Sequence, residues 1–240
     1  MQGIGTDFQE LTSYTRRNVG GRSLDWSKKP PTFKRYEAPR IPLATPEIEG
    51  GMPVWKAMQR RRSHRDFSKD SISPETLSQL IWATQGVTAV AGDTLFRTAP
   101  SAGGLFPIET YLVINRVEKL ESGLYHLFLP EWELEFLSPG NYGVPLAQAA
   151  LDQGMMAQAA VDFVWTAVIP RSAWKYEQRA YRYIYLDAAH ICQNLYLACE
   201  AFGLGCCAVG AFFDSEANQL IGVDGNEETV IYMAAIGKKQ

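Results

Sequence analysis

One stretch constrains the fold of this chain more than any other. From about Lys175 to Phe202 the sequence is polar at first and then almost wholly apolar through "LDAAHICQNLYLACEAF", with Gly203 and Gly205 at its end. That pattern predicts one long helix buried at the centre of a core. Asp187, His190, Gln193 and Asn194 make it a poor membrane segment, and each needs a hydrogen-bond partner if it lies inside. His190 reads as a satisfied core histidine.

The chain has 240 residues with 46% apolar content, enough for one full core, and strands are expected around the helix. Ser73 reads as a helix cap with Pro74 at the first position, Leu77, Leu80, Ile81 and Ala83 as an apolar face, and Gly86 as the stop. "IETYLVI" (108–114) and "VDFVWTAVI" (161–169) read as buried strands. "GLYHLFL" and "ELEFLS" form a hairpin through Pro130 and Glu131, and late strands fall in "CCAVGAFF" and "TVIYMAAIG". Regular helices do not separate these strands, and no GxGxxG joins a strand to a helix, which excludes a repeating βαβ sheet and the dinucleotide-binding reading. The predicted class is α+β.

Residues 1–50 carry Pro30, Pro31, Pro39, Pro42 and Pro46 among polar residues and read as an extended arm ahead of a domain at 51–240. Within it "PTFKRYEAPRIPL" has enough apolar side chains to pack on another surface, such as a partner subunit. The sequence shows no secretory signal and no apolar run of membrane-spanning length, so a cytoplasmic protein is expected. Cys192, Cys199, Cys206 and Cys207 lack paired CxxC spacing and read as reduced, buried thiols, with no metal site.

Charge then points to a ligand. The 23 lysines and arginines are outweighed by 26 acids, which is not a nucleic-acid-binding composition, yet five cations and no acid lie between Lys56 and Arg65. In "QRRRSHRDF" (59–67) a serine stands among guanidinium forks, the donor set that a phosphate monoester uses. If the segment is extended, Arg61, Ser63 and Arg65 share one face. The alternative is a set of solvated cations closing a short helix, favourable to its dipole. Two further segments are rich in small residues. "RTAPSAGGLFPIETY" (97–111) places Pro100, Ser101, Ala102, Gly103 and Gly104 before a strand, where a flat ligand can approach the backbone, or where a bare turn suffices. "GLGCCAVGAFFD" places Gly210 after the long helix, with backbone N–H groups free for a ligand or simply paired in a strand.

In that order, "RRSHRDF", "APSAGGLFPIETY" and "KYEQRAYRYIYLDAAHICQNLYLACEAFGLG" resemble the nitroreductase superfamily, in particular its SagB-type (McbC/SagB-like) dehydrogenase branch, over roughly residues 50 to 237. The resemblance implies an α+β fold with an antiparallel sheet flanked by helices, an intertwined homodimer, and FMN in a groove between subunits. It implies that Arg61, Arg62 and Ser63 contact the phosphate and ribityl chain, and that Arg65 lies beside the flavin pyrimidine edge, where a cation stabilises the charge of the reduced ring. It further implies that Pro100, Ser101, Ala102, Gly103 and Gly104 line the ring and its sugar chain. The backbone of Val209, Gly210 and Ala211 is then expected at flavin N5, the position that exchanges hydride. Lys238 or Lys239, in "GKKQ", stands where the family has a last basic residue for the phosphate.

"WKYEQRAYRY" (174–183) resembles the Lys-Tyr pair of azoline oxidation, with Lys175 as base and Tyr176 holding or relaying the proton. The other reading of Lys175, Arg179 and Arg182 is a solvated basic helix face. The expected protein is thus an FMN-dependent oxidoreductase working by a ping-pong route. Its substrates are either azolines in a modified peptide, or nitroaromatics and quinones reduced by NAD(P)H. A non-catalytic flavin-binding scaffold in a peptide-modifying complex is the reading from another class.

Overall fold

The structure is a computed structural model that describes residues 3–18, 23–92 and 94–240. A short helix α1 (Ile4–Leu11) and strand β1 (Arg40–Pro42) precede α2 (Val54–Arg60) and α3 (Pro74–Gln85). Next come β2 (Val87–Ala91), β3 (Thr94–Arg97), β4 (Ile108–Ile114), β5 (Gly123–Phe128) and β6 (Glu133–Pro139). The second half contains α4 (Gly143–Ala149), α5 (Met155–Gln158), β7 (Val161–Val168), α6 (Ile169–Tyr176), α7 (Ala180–Ala201), β8 (Leu204–Val209), α8 (Asp214–Ile221) and β9 (Glu228–Lys238).

Seven strands make one antiparallel sheet in the order β1-β6-β5-β4-β7-β9-β8, while β2 and β3 pair as a separate hairpin. The central strands are buried on both faces, and the two-residue period of a strand sorts their side chains. Leu112, Phe163 and Trp165 point to one side, packed with Leu77 and Leu80 of α3 and with Ile184 and Leu195 of α7. Tyr111, Val113 and Val164 point to the other, under Leu146 of α4 and Met156 of α5. α3 starts as its sequence dictates: the Ser73 hydroxyl accepts the Thr76 N–H at 3.1 Å, a cap worth about 1 kcal/mol, and Gly86 closes the helix. Thr84 and Gln85 join Leu77, Leu80 and Ile81 on its buried face, while Ala83 is only partly covered.

The long helix departs from its expected form. It is divided: α6 ends at Tyr176, Glu177 takes φ 49°, and α7 starts at Ala180. Neither glycine nor proline marks this break. Nor is α7 buried all round. Ile184, Asp187, Ala188, Ile191, Cys192, Leu195 and Cys199 form one buried stripe, whereas Tyr185, Leu186 and His190 face outward, so His190 is not a core residue. β8 stops at Val209 rather than running to Phe213. Among the described residues no helix is long and apolar enough to cross a membrane.

The first fifty residues are not extended throughout, contrary to the expectation above: α1 forms at Ile4–Leu11, ahead of the prolines that discourage helix further on. Beyond it, β1 adds a strand beside β6, and the segment before β1 is fastened by buried charge. Lys34 Nζ lies 2.6 Å from Glu228 and 2.9 Å from the Tyr111 hydroxyl. The Tyr36 N–H donates to Glu135, which lies 2.8 Å from His126 Nδ1; His126 Nε2 in turn faces Glu109 at 3.3 Å. Arg171 completes the chain, 2.6 Å from Glu109, and its Nε donates to the Pro31 carbonyl at 2.8 Å. Burial pulls the His126 pKa down, but the two flanking glutamates outweigh it and hold the ring above its ordinary 6.5. Burial raises Glu109, and His126 with Arg171 outweighs that, holding its carboxyl below the usual range.

Candidate functional site

Two groups of expected site residues form, one near each end of α7. The first lies on the sheet edge. After α2 the backbone leaves helical torsions at Arg61 and runs extended against β8, where Ser63 bridges Cys206 and the His64 N–H donates to the Cys206 carbonyl at 3.0 Å. Phe67 pins this segment. It is buried where Gly205 and Gly237 leave room, and a Cβ at Gly205 would come within 2.9 Å of its ring.

Along that edge the Arg61 guanidinium stacks 5.3 Å from the centre of the Tyr196 ring, and Ser63 Oγ lies 3.0 Å from the Tyr196 hydroxyl. The same hydroxyl accepts the Ala208 N–H at 2.8 Å, just ahead of Val209, Gly210 and Ala211. Tyr196 thus ties the arginine segment to the small-residue segment. Sequence reading missed it, because a tyrosine in an apolar helix looks like core. Val209 is buried, whereas Gly210 and Ala211 are exposed.

The cations here divide sharply. Arg60 and Lys239 both pair with the buried Glu200, each at 2.9 Å. Among the described residues Arg61, Arg62 and Arg65 have no acid within ion-pair distance, and Arg62 donates only to the Gln59 and Arg61 carbonyls. Lys239 is therefore committed, and Lys238 stands exposed at the end of β9, opposite Leu204. The neighbouring Cys206 and Cys207 are poor redox thiols, since burial pushes both upward and Arg65 only partly offsets this at Cys207.

The second group gathers at the other end. Asp187 on α7 accepts the Ser101 hydroxyl at 2.6 Å and the Ala102 N–H at 3.1 Å, while Ser101 Oγ accepts the Phe106 N–H at 2.9 Å. Gly103 and Gly104, in the turn beyond Pro100, take φ 65° and 66°. At Gly103 any side chain would collide with the Tyr176 hydroxyl and come within 2.9 Å of Lys175 Nζ. The glycine loop and the Lys175–Tyr176 pair therefore meet, which their separation in sequence did not reveal. Tyr176 also packs edge-on to Tyr183 at 4.7 Å.

The basic face beyond Lys175 is engaged rather than solvated. Arg179 donates to the Thr12 carbonyl and Arg182 to that of Gln9, both at 2.6 Å, so two guanidiniums cap the C-terminal end of α1. A cleft of about 460 Å³ lies between residues 11–14 and Lys175–Arg179.

No hydrogen bond or ion pair joins the two groups among the described residues. Asp187 and Tyr196 are nine residues apart on α7, roughly 13 Å along its axis. The first group's donor set fits FMN: three guanidiniums lacking a counter-ion, with a hydroxyl beside them, match a doubly charged phosphate and the start of a ribityl chain.

The sheet and its flanking helices are those of an oxidoreductase family. The Nitroreductase family model matches residues 58–238, and the chain belongs to that family. It is 31% identical over 197 residues to MJ1384, a candidate nitroreductase of Methanocaldococcus jannaschii, covering 82% of this chain and 96% of that protein. It is 27% identical over 177 residues to the trifolitoxin-processing protein TfxB of Rhizobium leguminosarum bv. trifolii, covering 71% of this chain and 47% of that one. A crystal structure of a candidate nitroreductase from Anabaena variabilis matches 97% of this chain with a TM-score of 0.79 at 25% identity. The chain spans about half the length of the TfxB and Anabaena proteins, 47% and 46%.

Proposed function

We propose that this chain is an FMN-dependent oxidoreductase of the SagB-type branch, acting on azolines of a modified peptide and assembled as a homodimer with its sites at the subunit interface. The observation that carries the reading is the set of three guanidiniums, Arg61, Arg62 and Arg65, left without acid partners beside Ser63 and Tyr196. The separation of the two residue groups along α7 supports a site completed by a second copy. So do the apolar side chains left in water near the arginines, among them Trp55 at 78% exposure. Four buried free cysteines suit a reducing compartment such as the cytoplasm.

FMN, when bound, supplies two-electron redox chemistry. Arg61, Arg62 and Ser63 hold its phosphate end, with Lys238 as a further cation within the tail. Arg65 would lie beside its pyrimidine edge, and the Val209–Ala211 backbone together with Pro100–Gly104 would border the ring and sugar. Lys175 takes the proton that the substrate carbon loses, and Tyr176, whose ring lies 5.3 Å from the Lys175 amine, holds or relays it. Ping-pong kinetics are expected, with molecular oxygen as the final acceptor of the electron pair that the azoline gives up.

Reduction of nitroaromatics or quinones by NAD(P)H is the second reading, favoured by the 31% identity to a relative named as a nitroreductase. Lys175→Ala separates the two: a reductase keeps most of its activity, whereas an azoline oxidase loses turnover with FMN still bound. The absorption spectrum of the untagged protein tests the cofactor. Yellow protein releasing FMN on boiling is expected, and colourless protein that takes up none overturns the proposal. A scaffold would bind flavin that is bleached by dithionite but by neither reduced nicotinamide nor an azoline peptide.

A further inference from the structure

We infer that Asp187 is a positioning residue: it fixes the Ser101–Gly104 loop and engages the one Ser101 proton, so that this serine meets a flavin's ribityl chain as a hydrogen-bond acceptor. This rests on the FMN reading above. Asp187 lies on the buried stripe of α7 at 5% exposure, where an unpaired carboxylate is costly. Both of its oxygens are used, Oδ2 by the Ser101 hydroxyl and Oδ1 by the Ala102 N–H.

A hydroxyl has one proton and two lone pairs. Ser101 gives its proton to Asp187 and takes the Phe106 N–H on one lone pair, which leaves a single lone pair and nothing to donate. A ligand hydroxyl can therefore bond to Ser101, whereas a phosphate oxygen gains nothing from it. The polarity of this loop assigns it to the sugar chain and leaves the phosphate to the guanidinium edge. The same three bonds hold the backbone on either side of Gly103 and Gly104, and so keep Gly103 against the Tyr176 hydroxyl and the Lys175 amine. Burial holds the Asp187 carboxyl above its ordinary range, against the bonds from Ser101 and Ala102 that favour its charge.

The test uses full-length wild type, Asp187→Asn, Ser101→Ala and the double variant. Dissociation constants are measured for FMN and for lumiflavin, which has the ring without the ribityl chain, and amide exchange is measured on flavin-free protein. Asp187→Asn is expected to speed exchange at Ala102 and Phe106 and to weaken FMN about tenfold while changing lumiflavin less than about twofold. Ser101→Ala is expected to weaken FMN by a similar factor, and the double variant to lose no more than either alone. A lower melting temperature for Asp187→Asn with unchanged FMN affinity and exchange overturns the inference, as do additive losses in the double variant. If Asp187→Asn fails to fold, Ser101→Ala decides alone, and equal FMN affinity to wild type overturns it. Wild-type protein that binds no FMN overturns the proposed function and the acceptor role together. Binding by wild type with an unaffected Asp187→Asn overturns only the role of Asp187.

Discussion

Beneath the segment that leads into β1 and along the β8 edge, the chain gathers positive charge under opposite rules. Under that segment, Lys34 sits 2.6 Å from Glu228 and Arg171 2.6 Å from Glu109, and the glutamates are shared onward to Tyr111 and His126. On the edge, Arg61, Arg62 and Arg65 face no acid among the described residues, although Glu200 lies near enough to serve Arg60 and Lys239. Charge that is compensated inside the molecule holds the fold together; charge that is left uncompensated at a built edge is available to a ligand.

Breaking the compensated set has the largest expected effect. Glu109→Ala strands Arg171 at 5% exposure, and urea unfolding should show a loss of about 3–5 kcal/mol. A loss under about 1 kcal/mol would mean that water reaches the pair. On the edge the outcome reverses: Arg61→Ala should weaken FMN roughly 10- to 100-fold in a fluorescence titration and leave the urea midpoint unmoved. If stability fell instead, the stacking on Tyr196 would be structural. Gly205→Ala joins the two behaviours, since its methyl would press on the Phe67 ring that seats the arginine segment. It should cost about 1–3 kcal/mol and weaken FMN as well.

The smallest effect is in pH. His126 is held above 6.5, so the stability its ionised form contributes is complete below about pH 6.5 and is lost as pH rises through the raised value. Glu109, held low, contributes above about pH 4.5, and its share goes as pH falls through the lowered value. Melting temperatures of wild type and His126→Gln, compared from about pH 5 to about pH 9, should converge toward the alkaline end, and parallel curves would show that His126 keeps one protonation state throughout.

Local chemistry made part of this legible in the sequence. The Ser73 cap, Pro74, Gly86 and the period-two strands were readable because each is decided within a few residues. The division of the long helix was not, because Glu177 adopts positive φ without a glycine to announce it. His190 misled because α7 is apolar on its outer face as well as its inner one. The resemblance named Lys175, Tyr176 and the Pro100–Gly104 loop separately, but only the packed chain shows Gly103 against both side chains. The sequence alone shows Asp187 as an acid in an apolar helix that needs a partner. Which partner it had depended on a contact 86 residues distant in sequence.

The Lys34–Glu228 pair also joins parts of the chain made at different times. Lys34 and Glu228 are 194 residues apart in the chain. At about 5–20 residues per second, Lys34 leaves the ribosome about 10 to 40 seconds before the carboxylate it needs has been made. The segment leading into β1 is thus held in part by a carboxylate made long after it, and the edge of β6 that β1 covers is one that would otherwise lie open to another extended segment.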